Sequence, residues 1–123
     1  MPPTSSPERP LAAAPADEPG LRVEIYPGIP VVAEIRGEID VASAPWLREK
    51  LLLAIRRHGA ALCVDLQGVT FLDCSGISVL LATARRAKLE GGRMRVVRPS
   101  SRVRRVIGLL RLQDALTSVD AQS

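Results

Sequence analysis

Aromatic residues are scarce in this chain: one Phe, one Tyr and one Trp, 2 % of 123 residues. The core must therefore be aliphatic, built from the Leu, Val, Ile and Ala that dominate an apolar share of 46 %. The same scarcity argues against a nucleic-acid surface, which uses aromatic rings as stacking platforms. Histidine occurs once, at His58, and cysteine twice, at Cys63 and Cys74. Neither thiol has a partner at metal-ligand spacing, so no metal site is assigned. With no secretory signal in the sequence, both are expected to be reduced thiols of a cytoplasmic protein. Long apolar runs are missing too, because charges interrupt each one short of a membrane span. No base stands beside a nucleophile and no Gly-rich loop would cradle a phosphate. No catalytic residue and no cofactor is assigned, and an enzyme is not expected.

What is present suits one domain with one core. The formal net charge is +4 and the sequence pI about 9.8. Glu8, Asp17 and Glu18 outweigh Arg9 in residues 1–20, so the remainder is more basic than the whole. That balance attracts an acidic partner without naming one. Residues 1–20 carry prolines at 2, 3, 7, 10, 15 and 19 with little to bury, and read as a disordered Pro/Ala-rich tail. The domain is expected over 21–120.

Arg22 to Tyr26 alternates polar and apolar, as a half-buried strand does. Pro27 to Pro30 is a turn, and Val31 to Arg36 is a second strand, paired antiparallel to the first. Gly37 to Asp40 leaves the sheet. Ser43 is placed as N-cap of a first helix with Pro45 in its first turn. Trp46, Leu47, Leu51, Ala54 and Ile55 mark its buried side, and His58-Gly59 ends it with a left-handed glycine cap.

The stretch from Val64 to Ile77 organises the rest. Leu62 to Leu66 is a compact apolar run and reads as a buried strand. A crossing loop follows, and Phe71-Leu72 returns to the interior. Asp73 is placed to cap a second helix, whose apolar stripe is Ile77, Leu80, Leu81 and Ala84. Asp73-Cys74-Ser75-Gly76 therefore opens a helix, where free amides and partial positive charge gather. Gly91-Gly92 closes that helix, and Arg93 to Arg98 is a fourth strand stopped by Pro99. Ser100 or Ser101 caps a third helix with Val103, Val106, Ile107 and Leu110 inward. Leu116 to Val119 is a last short strand or a return to the surface. The order is ββαβαβα, an α/β fold with a mixed four- to five-stranded sheet covered by helices.

Val64 to Leu81 resembles the central motif of the STAS family, small domains that include bacterial anti-sigma factor antagonists. Gly37-Glu38-Ile39-Asp40 resembles that family's Gly-Glu-aliphatic-Asp step before the first helix, and Ser101 to Ile107 its last helix. The resemblance spans roughly residues 22 to 119. It implies partner switching: the antagonist docks on an anti-sigma factor, often a serine-protein kinase as well, and a sigma factor is freed for transcription. The kinase phosphorylates a serine at the start of the second helix. The phosphate adds about −1.5 to −2 charge and the modified form no longer binds.

The position that directly follows the motif aspartate, a serine in the family, is Cys74 in this chain. A serine kinase cannot use a thiol in its place. Ser75 lies one residue on, rotated about 100° around the helix, and is read as facing the core, as a second cap, or as an imperfect acceptor. The partner-binding residues implied are Asp40, Asp73, Cys74, Ser75 and Gly76, with Asp40 either lining the surface of Asp73 or capping the first helix. Cys63 is read as a small core residue, Asp65 as solvated or paired, and His58 as a helix-end residue. Arg56-Arg57, Arg85-Arg86-Lys88, Arg93-Arg95-Arg98 and Arg102-Arg104-Arg105 are read as solvated faces flanking an acidic protein partner. Two alternatives remain: a basic nucleic-acid-associated domain, and a redox-responsive scaffold using Cys74, whose helix-start position favours reactivity while Asp73 opposes it.

Overall fold

In a computed structural model the described residues are 16–18 and 20–112. Five strands form one mixed sheet in sequential order: β1 (Ala16–Glu18), β2 (Leu21–Tyr26), β3 (Val31–Ile39), β4 (Ala61–Leu72) and β5 (Arg93–Val97). Three helices follow β3, β4 and β5 in turn: α1 (Ala44–His58), α2 (Cys74–Leu89) and α3 (Ser101–Leu109). The β1–β2 and β2–β3 pairs are antiparallel, whereas the β3–β4 and β4–β5 pairs are parallel. Parallel neighbours need crossovers, and right-handed crossovers through α1 and α2 put both helices on one face, where they pack together.

Alternation decides which face is buried. Val31, Ala33 and Ile35 of β3, Leu62, Val64 and Leu66 of β4, and Met94 and Val96 of β5 all lie within the core. Their registers agree, with Val31 opposite Leu62, Ala33 opposite Val64, and Val64 opposite Val96. Leu47, Leu51, Ala54 and Ile55 of α1 and Ile77, Val79, Leu80, Thr83 and Ala87 of α2 close over that face. Cys63 has the opposite parity, beside Val32 and Arg95, and is half-buried on the other face rather than in the core.

The sequence expectation differs most from the structure along β4, which does not stop at Leu66 but runs to Leu72. Val31 to Ile39 on β3 spans the same ladder as Leu62 to Leu72 on β4. The ladder therefore holds two extra residues on β4, at shifts between Glu34 and Arg36 and between Gly37 and Glu38. These bulges turn the buried spacing from Leu62, Val64, Leu66 to Val69 and Leu72. Period two is lost, so the segment reads as a loop although it remains paired. Gly68 fits the first bulge, since a Cβ there would stand 2.8 Å from Arg36 Cγ. For the same reason Gly37 to Ile39 stays in the sheet instead of leaving it, and Phe71 points outward, 40 % exposed, instead of returning inside.

Smaller departures have local causes. Ala16–Glu18, expected to be tail, pairs with β2; edge pairing needs backbone groups only, and Pro15 and Pro19 bracket the short strand. Residues 1–15 and 19 of the expected tail and the segment Leu116 to Val119 lie outside the described residues. Gly59 caps α1 at φ 127° and ψ 163°, a glycine conformation but not the left-handed helical one. Gly91, at φ 88°, and the Gly92 amide bond to Ala87 O (2.8 Å) close α2 as expected. β5 ends at Val97, and Arg98 bridges back to Asp65 at 3.3 Å and to Gln67.

Where β5 stops, α3 covers the open flank of β4. The Ser100 amide donates to Leu66 O, its hydroxyl donates to Val69 O at 2.7 Å, and the same hydroxyl caps the Val103 amide. Val103 and Ile107 are buried and Val106 is half-buried, but Leu110, expected inward, lies past the last helical turn and is 48 % exposed. Ser100→Ala should cost about 1–2 kcal/mol, since it removes a cap and a bond to β4 together. A urea midpoint equal to wild type would show that α3 is held by its apolar stripe alone.

Candidate functional site

The carboxyl ends of β3 and β4 meet at one register pair, Ile39 opposite Leu72. The next residue on each strand is an aspartate, so Asp40 and Asp73 emerge side by side, and the Asp73 amide donates to Ile39 O at 3.3 Å. In parallel α/β sheets this edge is where ligands and partners find the strand-to-helix turns.

Each aspartate orders its own turn. Asp73 is extended, at φ −112° and ψ −170°, and its Oδ1 accepts from the amides of Ser75 (2.9 Å) and Gly76 (3.2 Å). Asp40 Oδ1 accepts from the amides of Ala42 and Ser43, both 3.0 Å, and from the Ser43 hydroxyl at 3.2 Å. Ser43 sits at the N-cap position but does not cap α1 with its side chain. Its buried hydroxyl instead donates to Glu38 O at 3.1 Å and accepts from the Asp40 amide at 3.1 Å, which braces the β3–α1 turn. Asp40 thus does both things the sequence left open: it ties down the start of α1 and stands on the surface of Asp73.

In both carboxylates the bonds fall on Oδ1. Among the described residues Oδ2 of Asp40 and Oδ2 of Asp73 have no partner. Two anionic oxygens on half-buried aspartates thereby remain without a partner there, a pattern complementary to a cation on another protein.

The other expected site residues separate by burial. Cys74 is exposed at the first position of α2, and Ser75 is half-buried, with no hydrogen bond from its hydroxyl among the described residues. Ser75 contributes its amide to the cap, and the capping oxygen is that of Asp73. Gly76, expected at the partner surface, is buried beneath it. A Cβ at this position would stand 2.4 Å from Leu72 Cδ1 and 2.7 Å from Ile39 Cγ2. Its role is to let α2 approach the strand ends, which fixes where Asp73 and Cys74 point.

Two apolar residues at this edge escaped sequence reasoning. Val41, directly after Asp40, is 73 % exposed, and Phe71, two residues before Asp73, shares this rim. The signal for Phe71 was hidden by the bulge, and Val41 lies in a turn without periodicity. His58 and each of the arginines read as solvated are indeed exposed, and Asp65 is paired with Arg98. Among the described residues no group of His, Cys, Asp or Glu could hold a metal, and no helix is long and apolar enough to cross a membrane.

The STAS domain family model matches residues 21–121. The anti-sigma-B factor antagonist of Bacillus subtilis is 36 % identical over 86 residues, 70 % of this chain and 78 % of that protein. The anti-sigma F factor antagonist of Lysinibacillus sphaericus is 30 % identical over 77 residues, 62 % of this chain and 66 % of that protein. The crystal structure of an anti-sigma factor antagonist from Mycobacterium paratuberculosis superposes with a TM-score of 0.69 at 29 % identity, covering 78 % of this chain and 82 % of that one. The chain belongs to the STAS domain family.

Proposed function

We propose that this protein is an anti-sigma factor antagonist: it binds an anti-sigma factor through the edge formed by Asp40, Asp73 and Cys74 and so frees a sigma factor by partner switching. The observation that carries the reading is the pair of aspartates on adjacent strand ends, each with one oxygen tied to its turn and one without a partner among the described residues. The 36 % identity to an antagonist of known kind supports it. It is a cytoplasmic binding protein and not an enzyme. Purified antagonist added to an anti-sigma–sigma complex should release the sigma factor in proportion to the amount added. An undisturbed complex at excess antagonist would reject the reading.

The partner is also a serine-protein kinase in this reading, and Cys74 decides how it acts. Cys74 is exposed where the family carries its acceptor serine, whereas Ser75 is half-buried. Wild type should therefore be a poor phosphoacceptor and should remain bound when ATP is abundant. Cys74→Ser changes one atom at an exposed helix start and should gain ATP-dependent phosphorylation, followed by loss of the partner. Cys74→Asp should weaken binding directly but less, because it brings one charge and two acceptor oxygens. Intact mass and affinity after incubation with kinase and ATP check this. Efficient modification of wild type at Ser75 would show that the acceptor has moved one residue along α2.

A further inference from the structure

The outer face of α3 breaks a local rule without visible compensation. Its sequence carries Arg102, Arg104 and Arg105 and no acidic residue. Arg102 lies in the first turn and the other two close behind it, at the end of a helix where the dipole disfavours cations. Arg104 reaches the Pro99 carbonyl at 3.4 Å, but Arg102 and Arg105 are exposed and have neither an ion pair nor a hydrogen bond among the described residues.

The apolar pattern on the same face is equally unbalanced. Val103 and Ile107 turn inward, which leaves Arg102, Arg105 and Leu109 at i, i+3 and i+7 as one outward stripe. Leu109 is 76 % exposed at the end of that stripe. Among the described residues this unfavourable placement has no intramolecular return, which points to a partner outside them.

We infer that the Arg102–Arg105–Leu109 stripe is a docking surface for an acidic protein segment that also carries an aliphatic side chain. Charge complementarity selects the acid: two guanidiniums without a partner among the described residues offer fork-shaped donors to carboxylates. Leu109 selects protein over nucleic acid, because a phosphate backbone has nothing to bury against an exposed leucine and α3 has no aromatic ring on which a base could stack. This surface does not depend on the antagonist reading, since its residues lie on α3 and not at the ends of β3 and β4.

The test titrates the full chain into a short fluorescein-labelled amphipathic peptide, glutamates on one side and leucines on the other. Arg102→Glu/Arg105→Glu should lower affinity at least about tenfold, and Leu109→Ser about threefold. Thermal stability of the double variant should stay level or rise, because acids in the first turns agree with the helix dipole. Should that variant fail to fold, Arg102→Gln/Arg105→Gln removes the charges more gently and should show the same loss. Arg85→Glu/Arg86→Glu makes an equal change in net charge on α2 and should leave binding nearly intact. Equal losses in the α2 and α3 variants, or no binding by wild type, would overturn the inference. So would displacement of the peptide by duplex DNA or by phosphatidylglycerol vesicles at lower concentrations of charge than unlabelled peptide needs.

Discussion

Asp73→Arg is expected to weaken binding of the anti-sigma factor by about 2–5 kcal/mol, roughly 30- to 5000-fold, as loss of a hydrogen-bonded charge pair at an interface does. The substitution removes the cap on α2 and places a cation where the partner presents one. Loss of the cap alone costs about 1 kcal/mol of stability. The two effects can be separated with Asp73→Asn. Asparagine caps a helix about as well as aspartate, so the amides of Ser75 and Gly76 keep their acceptor. The carboxylate charge is lost, however. Asn should therefore fold like wild type and bind poorly, as measured by a urea titration beside a calorimetric one. Wild-type affinity in Asp73→Asn would mean that Asp73 serves the helix and not the partner.

Gly76→Ala should give the largest loss of stability among small changes at the site. The new methyl group meets Leu72 Cδ1 at 2.4 Å and Ile39 Cγ2 at 2.7 Å, both on buried residues at the strand ends. Overpacking of this kind costs about 1–3 kcal/mol, enough to lower Tm by several degrees in a domain of this size. Since the methyl pushes α2 off the sheet, Asp73 and Cys74 move with it, and partner affinity should fall as well. A variant with unchanged Tm would show that the strand ends yield, and that the position of α2 is set elsewhere.

Much of this arrangement could be read from the chain. Helical stripes were legible because each buries one face on a single sheet, as Leu47, Leu51 and Ile55 do. Asp73 was legible as a cap because the apolar period begins just after it. Three features hid from periodicity. The bulges of β4 break the alternation that marks a strand, so its second half reads as loop and Phe71 reads as core. Backbone pairing at β1 needs no side-chain pattern at all. Ser43 has the composition of a cap, yet its hydroxyl is engaged backward with Glu38 O and the Asp40 amide, and Pro45 offers no amide to cap. At the site, Asp40, Asp73 and Cys74 lie at the same strand ends, whereas Gly76 is buried against Leu72 and Ile39 and Ser75 gives its amide to the Asp73 cap. Sequence spacing alone does not distinguish the exposed first position of a helix from the half-buried second.

The claim that the ends of β3 and β4 form the partner surface is tested most directly at Cys74 itself, a reporter already in place. Iodoacetamide labelling of wild-type protein, followed by mass spectrometry, gives separate rates for exposed Cys74 and half-buried Cys63. Saturating anti-sigma factor should slow labelling of Cys74 at least about tenfold, as burial in an interface removes access to the thiolate. Cys63, on the other face of the sheet, should react at its usual rate. Unchanged labelling of Cys74 in a complex shown to be saturated would contradict the account, because the partner would then sit elsewhere on the molecule.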